Sequence, residues 1–371
     1  MTQPATDSSR MPLIDAMRAL CCLLIVAHHL ALYGPMPDMA YPLMPAFMDW
    51  LREHARIAVQ MFFVIAGYLA AAKLAPRGIS RVSTPLRLIR RRYLRLILPY
   101  LAALTVAIVG AAVARMWLQH ESIPASPHFL QLLAHILLLH DLLNQGALSA
   151  GVWYVAIDFQ LYVLTILLFW GTNSILTNPT LVRHVNGLLV LVLTAVSLFF
   201  FNRDSYWDET ALYFFGAYGL GMLIYWASSN RYRLLCTIAL MALITLALLI
   251  DFRLRVVVAG CVMMILAVAQ YFDVLNSNRI PGIMTAIGRA SYSIFLIHFP
   301  VALIFNAVFF RFLPHQPAVQ GMGLILAAAT SISAGMLLSA WLETRTVGKP
   351  AVIALIVGFI SAGLVVPQLI S

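Results

Sequence analysis

Charge is what this chain has least of. Only 10% of its 371 residues are Asp, Glu, Lys or Arg, and just 14 are acidic, where an average soluble domain is about 25% charged. Hydrophobic residues make up 62%, and the mean hydropathy is +0.90. A soluble globular fold is excluded. Polar stretches long enough for an independent soluble domain are missing, because apolar segments cover most of the chain. Missing too is the alternating pattern of about ten residues that marks a transmembrane β-strand. The apolar runs are instead continuous for about 20 residues, the length at which a helix crosses a bilayer. What remains is an all-α, polytopic transmembrane helical bundle.

Cysteine is equally scarce. Cys21, Cys22, Cys236 and Cys261 lie in or at the ends of apolar segments and lack metal-ligand spacing. Neither a disulfide framework nor a metal site is expected. The net charge of +10 would suggest nucleic acid in a soluble protein. In a membrane protein Lys and Arg gather in cytoplasmic loops and set orientation, so no nucleic-acid partner is expected. A cleavable leader is not expected: the first apolar run is too long, carries Asp15, Arg18, His28 and His29, and has no convincing small-residue cleavage site before Pro35. Residues 1–12 read as a cytoplasmic tail and the run after them as a retained first span. No internal repeat is visible, which weighs against transporter folds built from repeated halves.

The apolar segments fall at 13–33, 55–73, 96–118, 129–143, 152–170, 187–202, 211–227, 234–250, 256–272, 291–310, 319–342 and 351–370. Eight Lys or Arg and no acid lie from Lys73 to Arg95, so that loop is expected in the cytoplasm and the N-terminus with it. The segment 129–143 is short, contains His135, His140 and Asp141, and is flanked by Pro124, Pro127 and Gly146. If it dips in and returns, the basic loops around Arg231/Arg233, Arg279/Arg289 and Arg345/Lys349 all fall inside and Asp204–Glu209 outside. The expectation is eleven crossings plus one re-entrant element.

Four segments carry polar groups that lipid alone would exclude. Arg18 and His29 are eleven residues apart, almost three helical turns, so they share one face roughly 16 Å apart along the axis, and Asp15 lies on nearly the same stripe. Arg18 alone would read as a snorkelling cation and His28–His29 as a hydrogen-bonded pair near the other interface. The shared stripe favours a polar pathway, because ionisable groups at depth face protein or a watery cavity. His29 is the one group of the three suited to general-base work at neutral pH; His28 points about 100° away. Second, the cations of Arg90–Arg95 are arginine rather than lysine, and Arg92 and Arg95 present two forked guanidiniums on one face, suited to a phosphate-bearing ligand. Third, Asp158 and Tyr162 lie one turn apart beside Trp153 and Gln160; Asp158 either pairs with an arginine of another helix or orients a histidine. Fourth, Ser291 and His298 share a face of a segment that also holds Tyr292 and Ser293. Membrane serines often only bond neighbouring helices, and a serine nucleophile is not supported, since no histidine is placed beside one.

Together these segments resemble the membrane-bound acyltransferase-3 family. The resemblance lies in Asp15, Arg18 and His29; in the run Phe62-Phe63-Val64-Ile65-Ala66-Gly67; in Arg92 and Arg95; in Trp153, Asp158, Gln160 and Tyr162; and in Ser291 through Pro300. Residues 11 to 345 are covered. Asp158 stands where the family more often has Glu, and Ala55–Gln60 replaces glycines that usually precede the Phe-Phe run. The resemblance implies a stand-alone core over 13–345 with an extra C-terminal helix at 351–371, in a bacterial inner membrane.

It also implies acyl-CoA, usually acetyl-CoA, as donor substrate, with no permanently bound cofactor. The acceptor would be an extracytoplasmic or lipid-linked carbohydrate such as exopolysaccharide, O-antigen or glucan. His29 would be the base, Arg18 would stabilise donor or charge with Asp15 paired to it, and Asp158 would be a further catalytic group. Arg91, Arg92 and Arg95 would hold the donor; His28, Trp153, Gln160, Tyr162, Ser291, Tyr292 and His298 would line the site. Membrane lipid is the surrounding partner, and a homo-oligomer is left open. The alternative is a permease for a small anion or sugar, in which Arg18 and His29 form the substrate path.

Overall fold

The computed structural model describes residues 11–228, 230–277, 279–343 and 348–370. Most of the expected N-terminal tail and Arg345 lie outside the described residues. The helices are α1 (Pro12–Leu32), α2 (Pro35–Ala40), α3 (Pro45–His54), α4 (Ala58–Leu74), α5 (Pro85–Trp117), α6 (Phe129–Ile136), α7 (Val152–Ile175), α8 (Pro179–Phe199), α9 (Ala211–Ser228), α10 (Arg233–Ile250), α11 (Leu254–Tyr271), α12 (Gly282–Phe312), α13 (Pro317–Leu338) and α14 (Lys349–Ile370). Proline opens α1, α2, α3, α5, α8 and α13, where its fixed φ suits the first turn and its missing N–H is not needed. Among the described residues ten helical stretches are long and apolar enough to cross a membrane, and α14 is a further long apolar helix.

The short segment behaves differently. α6 has eight residues, about 12 Å of helix, far too little to cross. It stops because Leu138 turns left-handed at φ 56°, a conformation disfavoured for a bulky residue. His135 staples the turn from inside: its Nδ1 donates to Gln131 O (2.8 Å), and its Nε2 accepts from the Leu148 N–H (3.2 Å). Tyr93 of α5 donates to Ile136 O at 2.7 Å, and Leu132 packs where Gly363 of α14 lacks a side chain.

The basic loops gather at one end of the bundle. Trp226 at the end of α9 donates to Ala75 O (2.7 Å), and Asn186 of α8 donates to Gly78 O (2.9 Å). Leu13 N–H donates to Leu275 O at 3.3 Å, which brings the start of α1 and the end of α11 to the same end. The inner helices α1, α4, α9 and α12 approach closely through small residues. A Cβ on Gly67 would lie 1.8 Å from Tyr218 O, one on Gly221 1.9 Å from Val64 O, and one on Gly288 1.8 Å from Asp15 O. Such contacts are what holds helices together in lipid, where the hydrophobic effect gives little help.

Candidate functional site

A cavity of about 750 Å³ enters the bundle between α1, α4, α5, α7, α9 and α12. Its rim carries the exposed side chains Lys73, Arg91 and Arg95, with Arg18 and Arg92 half-buried below them. Against these five cations stand two acids, Asp158 and Glu343. Three arginines of α5, Arg91, Arg92 and Arg95, thus border the cavity, which topology alone does not require.

Arg92 and Asp158 are ion-paired, Arg92 Nη2 donating to Asp158 Oδ2. The guanidinium also lies over the Tyr162 ring, 5.2 Å from its centroid. Of the two readings of Asp158, the structure realises the pairing with an arginine; no histidine contacts it among the described residues. Arg92 is accordingly half-committed. Its Nε has no hydrogen-bond partner, while Arg91 and Arg95 make no ion pair among the described residues. Glu343 is tied to Ser293 Oγ at 2.6 Å, so Ser293 joins the end of α13 to α12.

The histidines lie beyond the inner end of this cavity. His298 Nδ1 is 2.6 Å from Phe295 O, and His298 Nε2 is 2.6 Å from His29 Nδ1. The rings are nearly parallel, with centroids 4.9 Å apart. A carbonyl can only accept, so Nδ1 of His298 carries the proton and its Nε2 accepts. His29 must then donate through Nδ1, which leaves the lone pair of its Nε2 free to take a proton. The hydrogen-bond network assigns this tautomer. It leaves His29 Nε2 without a proton and has His298 holding the His29 ring. His29 remains 7% exposed and His298 is fully buried.

Several expected site-lining residues are elsewhere. Arg18, Arg91, Arg92, Arg95, Asp158, Tyr162, Ser291 and Tyr292 border the cavity; His28, His29, Trp153, Gln160 and His298 do not. His28 Nδ1 donates to Leu51 O (2.8 Å), tying α1 to α3. Gln160 caps α9, accepting from Ala211 N–H at 3.0 Å. Trp153 packs against Phe214, centroids 5.6 Å apart. Asp15 is half-buried in the first turn of α1, away from the cavity, its carbonyl against Gly288. The expectation that helix one runs as a single lined path from Arg18 to His29 is therefore corrected: of α1, Arg18 borders the cavity, and His29 lies beyond it. Sequence reasoning missed Lys73, counted only as loop charge, and Glu343, which reaches the site through the return of α13. It also missed Tyr154 and Phe295, which are indistinguishable from core aromatics in the sequence.

A family model described as an acyltransferase domain, acyltransferase-3, matches residues 12–344. No curated protein and no solved structure matches the chain.

Proposed function

The chain belongs to the acyltransferase-3 family and is a multi-pass membrane acyltransferase, and from that premise we propose that it acetylates a carbohydrate across the bacterial inner membrane. In this reading the end bearing the basic loops is cytoplasmic, in line with the positive-inside rule. Acetyl-CoA enters there. Lys73, Arg91 and Arg95 meet its phosphates, while Arg92, anchored by Asp158, and Arg18 extend the positive field inward.

The sugar hydroxyl approaches from the other side. His29 Nε2 accepts its proton as the oxygen attacks the thioester carbonyl; a C–O bond forms and the C–S bond breaks. The proton then passes from His29 to the thiolate, giving free CoA and a neutral histidine, so no net proton is consumed. Direct transfer needs no covalent enzyme intermediate.

The observation that carries this reading is the tautomer fixed by Phe295 O and His298, which leaves a bare nitrogen on His29. The test is radiolabelled acetyl-CoA added to inverted membrane vesicles holding the protein. Label should enter the carbohydrate fraction and free CoA should appear. His29→Ala should abolish both while the protein still accumulates in the membrane; full activity in that variant would overturn the assignment. A permease would give neither signal in the unaltered protein.

A further inference from the structure

The cationic cavity and the histidine pair do not meet. Between them stands a single layer of aromatic rings. Phe62, Tyr154 and Phe295 wall the inner end of the cavity, with centroids 5.6 Å apart for Phe62–Tyr154 and 5.5 Å for Tyr154–Phe295. The His298 ring lies 5.9 Å from Phe295, and His29 lies beyond it.

The layer is supported from behind. Phe63 packs on Tyr154 at 5.0 Å and on Phe214 at 4.7 Å. Gly151, at φ 81°, lets loop backbone press against Phe295, where a Cβ would come within 2.7 Å of Cζ. Rings held on both sides can turn individually but cannot retreat together, since close-packed interiors resist added volume.

This has a consequence for the acyl group, and it rests on the acyl-CoA reading above. The tail of a thioester points away from sulfur. With the phosphates at the rim and the pantetheine arm along the cavity, the tail is directed into the ring layer, ahead of the carbonyl that must reach His29. Acetyl offers one methyl group there, and each further methylene has to displace ring volume. We infer that Phe62, Tyr154 and Phe295 set the upper size of the acyl group transferred, admitting acetyl and rejecting medium-length chains.

The test compares labelled acetyl-CoA and octanoyl-CoA in inverted membrane vesicles from cells that make the protein, reading label in the carbohydrate fraction. The unaltered enzyme should favour acetyl by about 100-fold or more, and Phe62→Ala should narrow that ratio about tenfold, the scale on which hydrophobic pockets discriminate methylenes. Phe62→Leu and Phe295→Leu remove less volume, keep the fold closer to native packing, and should narrow the ratio by less. A purely structural role would lower both rates together and leave the ratio alone. The inference is overturned if the variants transfer acetyl with an unchanged ratio, or if the unaltered enzyme uses octanoyl-CoA as readily as acetyl-CoA. If the unaltered protein transfers neither group and releases no CoA, the donor reading fails, and the size limit falls with it.

Discussion

A histidine acts as a base only through a nitrogen that carries no proton, and here that choice is made two residues away from His29. Phe295 O fixes the proton on His298 Nδ1, and His298 Nε2 fixes the proton on His29 Nδ1. Replacing His298 with alanine frees His29 to adopt either tautomer and to rotate. We expect kcat to fall about 10²-fold, within the usual range for general-base loss, with little change in the KM for acetyl-CoA. His298→Gln, whose side-chain carbonyl can still accept from His29 Nδ1, should recover part of that loss. Steady-state kinetics on both variants checks it. Arg92 and Asp158 invite the opposite comparison. Asp158→Ala leaves a cation at depth without its partner and should destabilise the protein by about 3–5 kcal/mol, whereas replacing both residues with apolar ones of similar volume should cost much less; thermal unfolding of both variants and the unaltered protein in detergent decides it. Arg18 and His29 were legible from sequence because each is an expensive residue in an apolar run, and Arg92 because it stands in a cluster of forked cations just before one. The partner of Asp158 was not legible, since Arg92 is 66 positions away and no local spacing links them.

Among the elements, α6 departs most from helical regularity. Its sequence, Phe129–Ile136 and onward, is apolar enough for a span, and its flanking prolines hinted at a return. The stop itself comes from Leu138 in a left-handed turn, which no residue preference signals because leucine avoids that conformation. The turn that follows holds His140 and Asp141, whose Nε2 and Oδ2 are 3.3 Å apart. Burial pulls the His140 imidazole down to about 3. Burial, with Glu209 and Asp208 nearby, pushes the Asp141 carboxyl from 3.8 up to about 6. The folded state thus holds this proton more tightly than the unfolded chain. The stabilisation is complete below about pH 3.8 and is lost as the pH rises through about 6. Asp141→Asn should therefore raise the unfolding midpoint above pH 7 and make little difference near pH 4, which a pH series of thermal melts measures. The close approaches of α4 to α9 and of α1 to α12 were equally hidden. Gly67 stood out only through the family resemblance and Gly221 and Gly288 not at all, and only the opposing carbonyls show what each glycine makes room for.

For the whole molecule, the class of fold was readable from composition and run length together: so little charge requires a membrane, and continuous apolar runs of about 20 residues require helices in it. The order of crossings followed from the lengths of the apolar runs and the placement of arginine. The arrangement of the basic loops at one end of the bundle fits a single orientation. Reporter fusions after Arg81, Arg231 and Lys349 should report one side of the membrane, and a fusion within Asp204–Glu209 the other; Arg231 and Arg81 on opposite sides would refute this topology. What composition could not convey is that the cavity and the histidines occupy separate compartments, since that depends on which aromatic side chains of α4, α7 and α12 happen to meet. The ring layer of Phe62, Tyr154 and Phe295 bears on more than substrate size. If the protein works from both faces of an energised membrane, as proposed, it must not short-circuit that membrane. On the proposed reading, three rings closing the inner end of the vestibule would act as an insulator, letting chemistry be handed across while protons and ions are held back.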